Sequence, residues 1–111
     1  MNILLMEDDV VLSDILLDFL RESWDVDYAY DSKEVYERIE SKKYDLFVFD
    51  VNVPGKDGLK LLQELRSYND NTPTIFITAY TDTAYLKKAF EVGACDYVKK
   101  PFDLIELLLR V

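Results

Sequence analysis

The stretch Leu46-Phe47-Val48-Phe49-Asp50-Val51-Asn52-Val53-Pro54-Gly55 decides the fold. Its first four residues form an apolar run of the kind that makes a buried strand, the run stops at Asp50, and a turn-rich segment follows. A buried strand that ends in a carboxylate presents that carboxylate at the rim of a sheet. In open α/β sheets the carboxyl ends of the strands are where ligands bind. Three further apolar runs end in polar groups: Ile3-Leu4-Leu5-Met6 before Glu7-Asp8-Asp9, Ile75-Phe76-Ile77 before Thr78, and Tyr97-Val98 ahead of Lys100. Acids, a hydroxyl and an amine at one sheet edge suit a divalent cation together with a transferable phosphoryl group.

Helical patterns separate the runs. Leu12, Ile15, Leu16 and Phe19 recur at helical spacing, so residues 10–22 are read as an amphipathic helix after a first strand at 2–6. Residues 26–30 alternate as a less buried or edge strand would. Asp31 or Ser32 can cap the next helix, with Glu34 completing a capping box on Asp31. A third strand over 45–49 leads to a helix after Gly58, and a fourth strand over 74–77 leads to a helix marked by Tyr85, Leu86, Ala89 and Phe90 that stops near Gly93. A short fifth strand at 96–98 precedes a last helix, for which Asp103 and Glu106 form the capping pattern. Five βα units in strict alternation imply an α/β fold: a parallel sheet with helices on both faces. The last helix runs only to Val111 without a stop signal, so it is read as cut short, with a partner domain expected beyond it.

The chain has 111 residues and fits one domain over 1–111. Half of it is hydrophobic, enough for a packed interior, and three Gly and three Pro leave little room for linkers. Its 22 acids against 13 bases give a net charge of −9, which would be repelled by phosphate backbones and argues against direct nucleic-acid binding. No run approaches the ~20 apolar residues of a membrane span, and no basic stretch opens a signal peptide. The single Cys95 cannot form an internal disulfide, and a reducing, cytoplasmic location is the simple expectation.

Carboxylates crowded at one rim repel each other unless a cation intervenes. Mg²⁺ is usually held by one or two carboxylates plus waters. Asp9 and Asp50 could supply the two, with Asp8 orienting a coordinated water and the Asn52 backbone carbonyl adding a ligand. Asp50 can then act as a carboxylate nucleophile toward phosphorus. Lys100 would offer charge to the phosphoryl oxygens, Thr78 a hydroxyl and Ala79 its backbone N–H. Each part alone has a plainer reading: Glu7-Asp8-Asp9 as an acidic helix start, Asp50 as a turn-former, Thr78 as a cap, Lys100 as a surface lysine. What distinguishes them is that all four fall at the same edge of the expected sheet.

The residues that carry this chemistry resemble the receiver domain of two-component response regulators. The matching stretches are Met6-Glu7-Asp8-Asp9, residues 49–58, Ile77-Thr78-Ala79 and residues 93–102, and the resemblance covers the chain from its first strand to its last helix. It implies a flavodoxin-like, doubly wound five-stranded parallel sheet in the order 2-1-3-4-5. It also implies a phosphoacceptor switch, not an enzyme acting on other molecules, in which Asp50 takes a phosphoryl group from a phosphohistidine on a sensor histidine kinase. Asp8 and Asp9, with Asp50 and the Asn52 carbonyl, would serve Mg²⁺, for which Mn²⁺ could substitute. Thr78 would be the switch hydroxyl, Tyr97 the switch aromatic, and Lys100 the partner of the phosphoryl group and, before phosphorylation, of Asp50. The region of Asp96-Tyr97 and the last helix resembles regulators with a winged-helix DNA-binding domain, so DNA is expected only through an output domain outside this sequence, with no membrane partner.

Competing readings fit less well. A phosphatase of the haloacid dehalogenase type wants a second Asp two residues after the nucleophile, where this chain has Asn52. A flavodoxin-like cofactor binder wants a Ser/Thr/Gly-rich loop after the first strand, where Glu7-Asp8-Asp9 would repel a phosphate. A degenerate receiver used only for docking would not keep the acids, Thr78 and Lys100. Finer expectations concern three places. A Tyr80 ring beside the site should obstruct water and slow dephosphorylation, and the Lys100–Pro101 peptide should be cis. On the last helix, Leu104, Leu107, Leu108 and Val111 should face the sheet. That leaves Leu109 outside with Glu106 and Arg110, and with Phe90 and Asp96 nearby, as an apolar spot rimmed by charge suited to self-association on phosphorylation. Leu86 and Lys87 depart from the basic and apolar residues usual in the winged-helix regulators, so any dimer should be weak.

Overall fold

The structure is a computed structural model that describes residues 1–51, 57–78, 83–94, 96–99 and 104–111, without the side chains of Thr78, residues 83–86, Lys99, Leu104, Ile105 and Leu108. The elements run β1 (Asn2–Met6), α1 (Val10–Arg21), β2 (Asp25–Ala29), α2 (Ser32–Ser41), β3 (Leu46–Asp50), α3 (Gly58–Ser67), β4 (Thr74–Thr78), α4 (Thr83–Glu91), β5 (Asp96–Lys99) and α5 (Leu104–Arg110). All strand pairings are parallel, and the order is β2-β1-β3-β4-β5. The doubly wound α/β fold expected from the alternating pattern is thus the fold observed.

Side-chain alternation sends each strand to two cores. Leu4, Met6, Phe47, Phe49 and Phe76 pack with Val35 of α2, Leu61, Leu62 and Leu65 of α3, and Ala89 of α4. Phe47 and Phe49 stack, with ring centroids 4.7 Å apart. Ile3, Leu5, Val48, Ile75, Ile77 and Val98 pack on the other face with Leu16, Leu17 and Leu20 of α1 and Leu107 of α5. Every residue of β3 is buried, as expected of a central strand covered on both faces. Trp24 only packs, at the edge of the α1 core. Ile15, expected in the inward stripe of α1, is instead 47% exposed, and the inner positions are Leu16, Leu17 and Leu20.

The helix starts follow local chemistry. Asp31 caps α2, its Oδ1 accepting from the Glu34 N–H at 2.9 Å. Glu34 returns a hydrogen bond, but one residue earlier than a capping box places it, accepting from the Tyr30 N–H at 2.7 Å. Asp57 caps α3 by accepting from the Lys60 N–H, so Gly58 is the first helical residue. Gly93 closes α4 with φ +98, a conformation that glycine adopts without strain. Arg66 of α3 donates to the Gly93 carbonyl at 2.9 Å and so ties the ends of α3 and α4.

Candidate functional site

The carboxyl ends of β1 and β3 build the site. Met6 pairs with Phe49, so the next residues, Glu7 and Asp50, stand side by side at the sheet rim. By strand parity Glu7 continues Ile3 and Leu5, and Asp50 continues Val48, on the α1 side of the sheet. Both are buried, Glu7 at 0% and Asp50 at 3% exposure. Asp8, half-buried, completes a group in which one carboxylate oxygen from each of Glu7, Asp8 and Asp50 lies within 4.8 Å of the others. Three hard oxygen donors at this spacing fit a small divalent cation such as Mg²⁺.

The structure groups Asp50 with Glu7 and Asp8, whereas the expected pair joined Asp50 to Asp9, two residues past Glu7. Asp9 is exposed and serves as the N-cap of α1, its Oδ1 accepting from the Leu12 N–H at 3.1 Å. Glu7 takes the place by Asp50 that had been given to Asp9. The reason is register: Asp9 stands two residues past Glu7, where the chain has already turned into the helix. Glu7 also supports that turn, its Oε2 accepting from the Asp9 N–H at 3.3 Å.

Backbone contacts hold both strand ends. The Glu7 N–H donates to the Ala29 carbonyl at 3.2 Å. The Tyr28 hydroxyl donates to the Glu7 carbonyl at 2.6 Å. Beyond Asp50, the Val51 N–H donates to the Ile77 carbonyl at 3.2 Å, and the Gly58 N–H donates to the Val51 carbonyl at 2.7 Å. Gly58 approaches so closely that a Cβ there would meet the Asp50 carbonyl oxygen at 2.7 Å. The sequence offered a signal for Glu7, its place in the alternation of β1, but none for Tyr28 or for the closeness of Gly58.

Thr78 is the last residue of β4 and pairs with Lys99, one step beyond the pair Asp50–Ile77, so its backbone stands at the same rim. Tyr97 pairs with Phe76 and packs, half-buried, against the α2–α4 core. Asn52, Ala79, Tyr80, Cys95, Lys100, Pro101, Phe102 and Asp103 lie outside the described residues, and with them the Asn52 ligand, the Lys100 contact, the cis peptide and the Tyr80 screen. On the opposite flank, Phe90 is 47% and Leu109 79% exposed. Arg110 Nε lies 3.6 Å from Asp96 Oδ1, and its Nη2 lies 3.9 Å from Glu106 Oε1. The five residues expected to form a surface are thus placed on α4, β5 and α5, with Leu109 turned outward beside three charged groups.

The family described as response regulator receiver domain matches residues 3–111. The chain is 44% identical to the transcriptional regulatory protein CrdR of Helicobacter pylori, over 99% of this chain and 53% of that protein. It is 41% identical to the transcriptional regulatory protein CiaR of Streptococcus pneumoniae, over 99% of this chain and 49% of that protein. It thus spans about half the length of these relatives. Among solved structures, the receiver domain of Francisella response regulator 1452 superposes with a TM-score of 0.93 at 34% identity, covering 98% of this chain and 91% of that one.

Proposed function

Because the chain belongs to the response regulator receiver domain family, we propose that it is a phosphorylation-activated signalling switch whose acceptor is Asp50. The observation that carries this reading is the convergence of Glu7, Asp8 and Asp50 at the ends of adjacent strands, with Asp50 almost fully buried. An Asp50 oxygen attacks the phosphorus of a phosphohistidine on a sensor histidine kinase. The new P–O bond forms as the P–N bond breaks, and the histidine nitrogen keeps the electron pair and regains a proton. Bound Mg²⁺ supplies positive charge that offsets the repulsion between the carboxylates and the incoming phosphoryl oxygens. Asp8 and Glu7 hold that cation with Asp50, and the Asn52 carbonyl adds a ligand; Asp9 shapes the turn that carries them. Lys100, Thr78 and the Ala79 N–H receive the phosphoryl oxygens.

A phosphoryl group that draws Thr78 inward opens space for the Tyr97 ring, a two-state element biased by one covalent event. The change reaches the flank of α4, β5 and α5, where Phe90, Asp96, Glu106, Leu109 and Arg110 serve self-association. The similarity to transcriptional regulatory proteins about twice the length of this chain favours control of a DNA-binding output domain. Among the described residues no helix is long and apolar enough to cross a membrane.

The test is labelling by acetyl phosphate with Mg²⁺, followed by mass spectrometry. One phosphoryl adduct is expected, labile to base and hydroxylamine, and absent from Asp50→Asn. Undiminished labelling of that variant would refute the assignment.

A further inference from the structure

Tyr28 stands on the edge strand, yet its phenol reaches across to the start of the acidic segment. Its backbone pairs with Leu5, and its hydroxyl donates at 2.6 Å to the carbonyl of Glu7, two residues on and just past the end of β1. That carbonyl belongs to the peptide joining Glu7 to Asp8, so its orientation sets the direction in which the Asp8 side chain leaves the backbone. The Glu7 N–H is held by the Ala29 carbonyl at 3.2 Å, and the Tyr28 hydroxyl fixes the other backbone polar group of the same residue. The first turn of α1 closes over the phenol. Ser13 is buried, its hydroxyl donates to the Val10 carbonyl at 2.9 Å, and the same hydroxyl adjoins the Tyr28 oxygen. Arg38 of α2 steadies Tyr28 from behind, its Nε donating to the Tyr28 carbonyl at 3.1 Å. Tyr28 therefore joins β2, the end of β1, the first turn of α1 and α2 at the one peptide that aims Asp8.

We propose that Tyr28 is a positioning residue for the divalent cation: by holding the Glu7–Asp8 peptide, it sets the Asp8 carboxylate against Asp50. This rests on the reading of the cluster as a Mg²⁺-dependent phosphoacceptor site. Groups one shell removed from a metal commonly change its affinity by about 10- to 100-fold, and Tyr28→Phe removes the hydroxyl while keeping the packed ring.

The experiment is calorimetric titration of MgCl₂ into the parent, Tyr28→Phe and Tyr44→Phe. The last variant loses a hydrogen bond of similar length, 2.7 Å to Asp27, remote from the acidic cluster. Thermal melting without metal establishes that each variant is folded. Tyr28→Phe is expected to bind Mg²⁺ about tenfold more weakly, with the Asp8 and Asp9 amide resonances displaced in the metal-free protein, while Tyr44→Phe keeps the parent affinity. Parental affinity in Tyr28→Phe overturns the positioning role alone, as does an equal loss in both variants. A parent that takes up no Mg²⁺ overturns the function proposed above and this inference with it.

Discussion

Asp8 and Asp9 are chemically identical neighbours with different surroundings, and that difference can be measured. Asp8 shares a 4.8 Å cluster with two buried carboxylates, whereas Asp9 spends an oxygen on the Leu12 N–H. Asp8→Asn is expected to weaken Mg²⁺ binding more than tenfold, that is by over ~1.4 kcal/mol. Asp9→Asn should leave affinity near the parent value and change stability by less than about 0.5 kcal/mol, because Asn caps a helix as well as Asp does. Titration calorimetry and urea unfolding of the two variants decide between this assignment and one that centres on Asp9. Gly58 poses a second contest. Ala is favoured over Gly within a helix by ~1 kcal/mol. Here its Cβ would lie 2.7 Å from the Asp50 carbonyl oxygen and 2.9 Å from the Val51 Cα, and both are backbone atoms with little room to yield. Overpacking of this kind costs about 1–3 kcal/mol, so Gly58→Ala should unfold at lower urea and take up phosphoryl at Asp50 more slowly. Unchanged labelling would show that β3 and α3 can separate without disturbing the acceptor.

At the scale of elements, the edge strand β2 is secured at two places. Tyr28 holds it to the acidic rim. Nearer its start, Asp27 accepts from the Tyr44 hydroxyl at 2.7 Å and from Lys42 Nζ at 3.1 Å, which ties β2 to the segment between α2 and β3. The Tyr44 hydrogen bond, opposed in part by burial and aided by Lys42, holds the Asp27 carboxyl below its ordinary value of 3.8. A carboxyl lowered on folding contributes stability that is present above its unfolded value and is lost as pH falls through the folded one. The stability gap between parent and Tyr44→Phe should therefore be constant near neutrality and narrow once pH falls below about 4. Urea unfolding at a series of pH values checks this; a gap that widens in acid would reverse the sign. The α3–α4 tie is a second such anchor. Gly93→Ala meets both the strained φ of +98 and Arg66 Nε at 2.9 Å from the new Cβ, and about 1–3 kcal/mol of lost stability is expected.

For the molecule as a whole, association is expected to run through the flank of α4, β5 and α5. Leu109 is 79% exposed, and Arg110 sits near both Asp96 and Glu106. These ion pairs are more than a third exposed, so they hold the fold only weakly, and their charges can serve a partner copy. Sedimentation with beryllofluoride and Mg²⁺ should show a weak dimer where the protein without them is a monomer. Arg110→Glu should abolish the dimer while leaving the melting temperature nearly unchanged. A tight dimer indifferent to both changes would place the interface elsewhere.

Alternation and spacing, which are local, were enough to determine the parallel α/β architecture, the strand positions to within a residue, Asp50 at the end of β3 and Thr78 at the end of β4. A short apolar run closed by a polar residue has one natural place in a doubly wound sheet. The strand order came from resemblance, since nothing local says which strands are neighbours. Three features waited for the tertiary structure. Pairing of Met6 with Phe49 set Glu7 rather than Asp9 beside Asp50, because the residue of one strand end that meets a given residue of the next is invisible within either strand. The turn of α1 relative to the sheet exposed Ile15, because Ile15, Leu16 and Leu17 are all apolar and only packing selects among them. The reach of Tyr28 to the Glu7 carbonyl and the approach of Gly58 to the Asp50 carbonyl join residues 21 and 8 positions apart in sequence. Such contacts exist only once the strands have paired and the helices have docked on them.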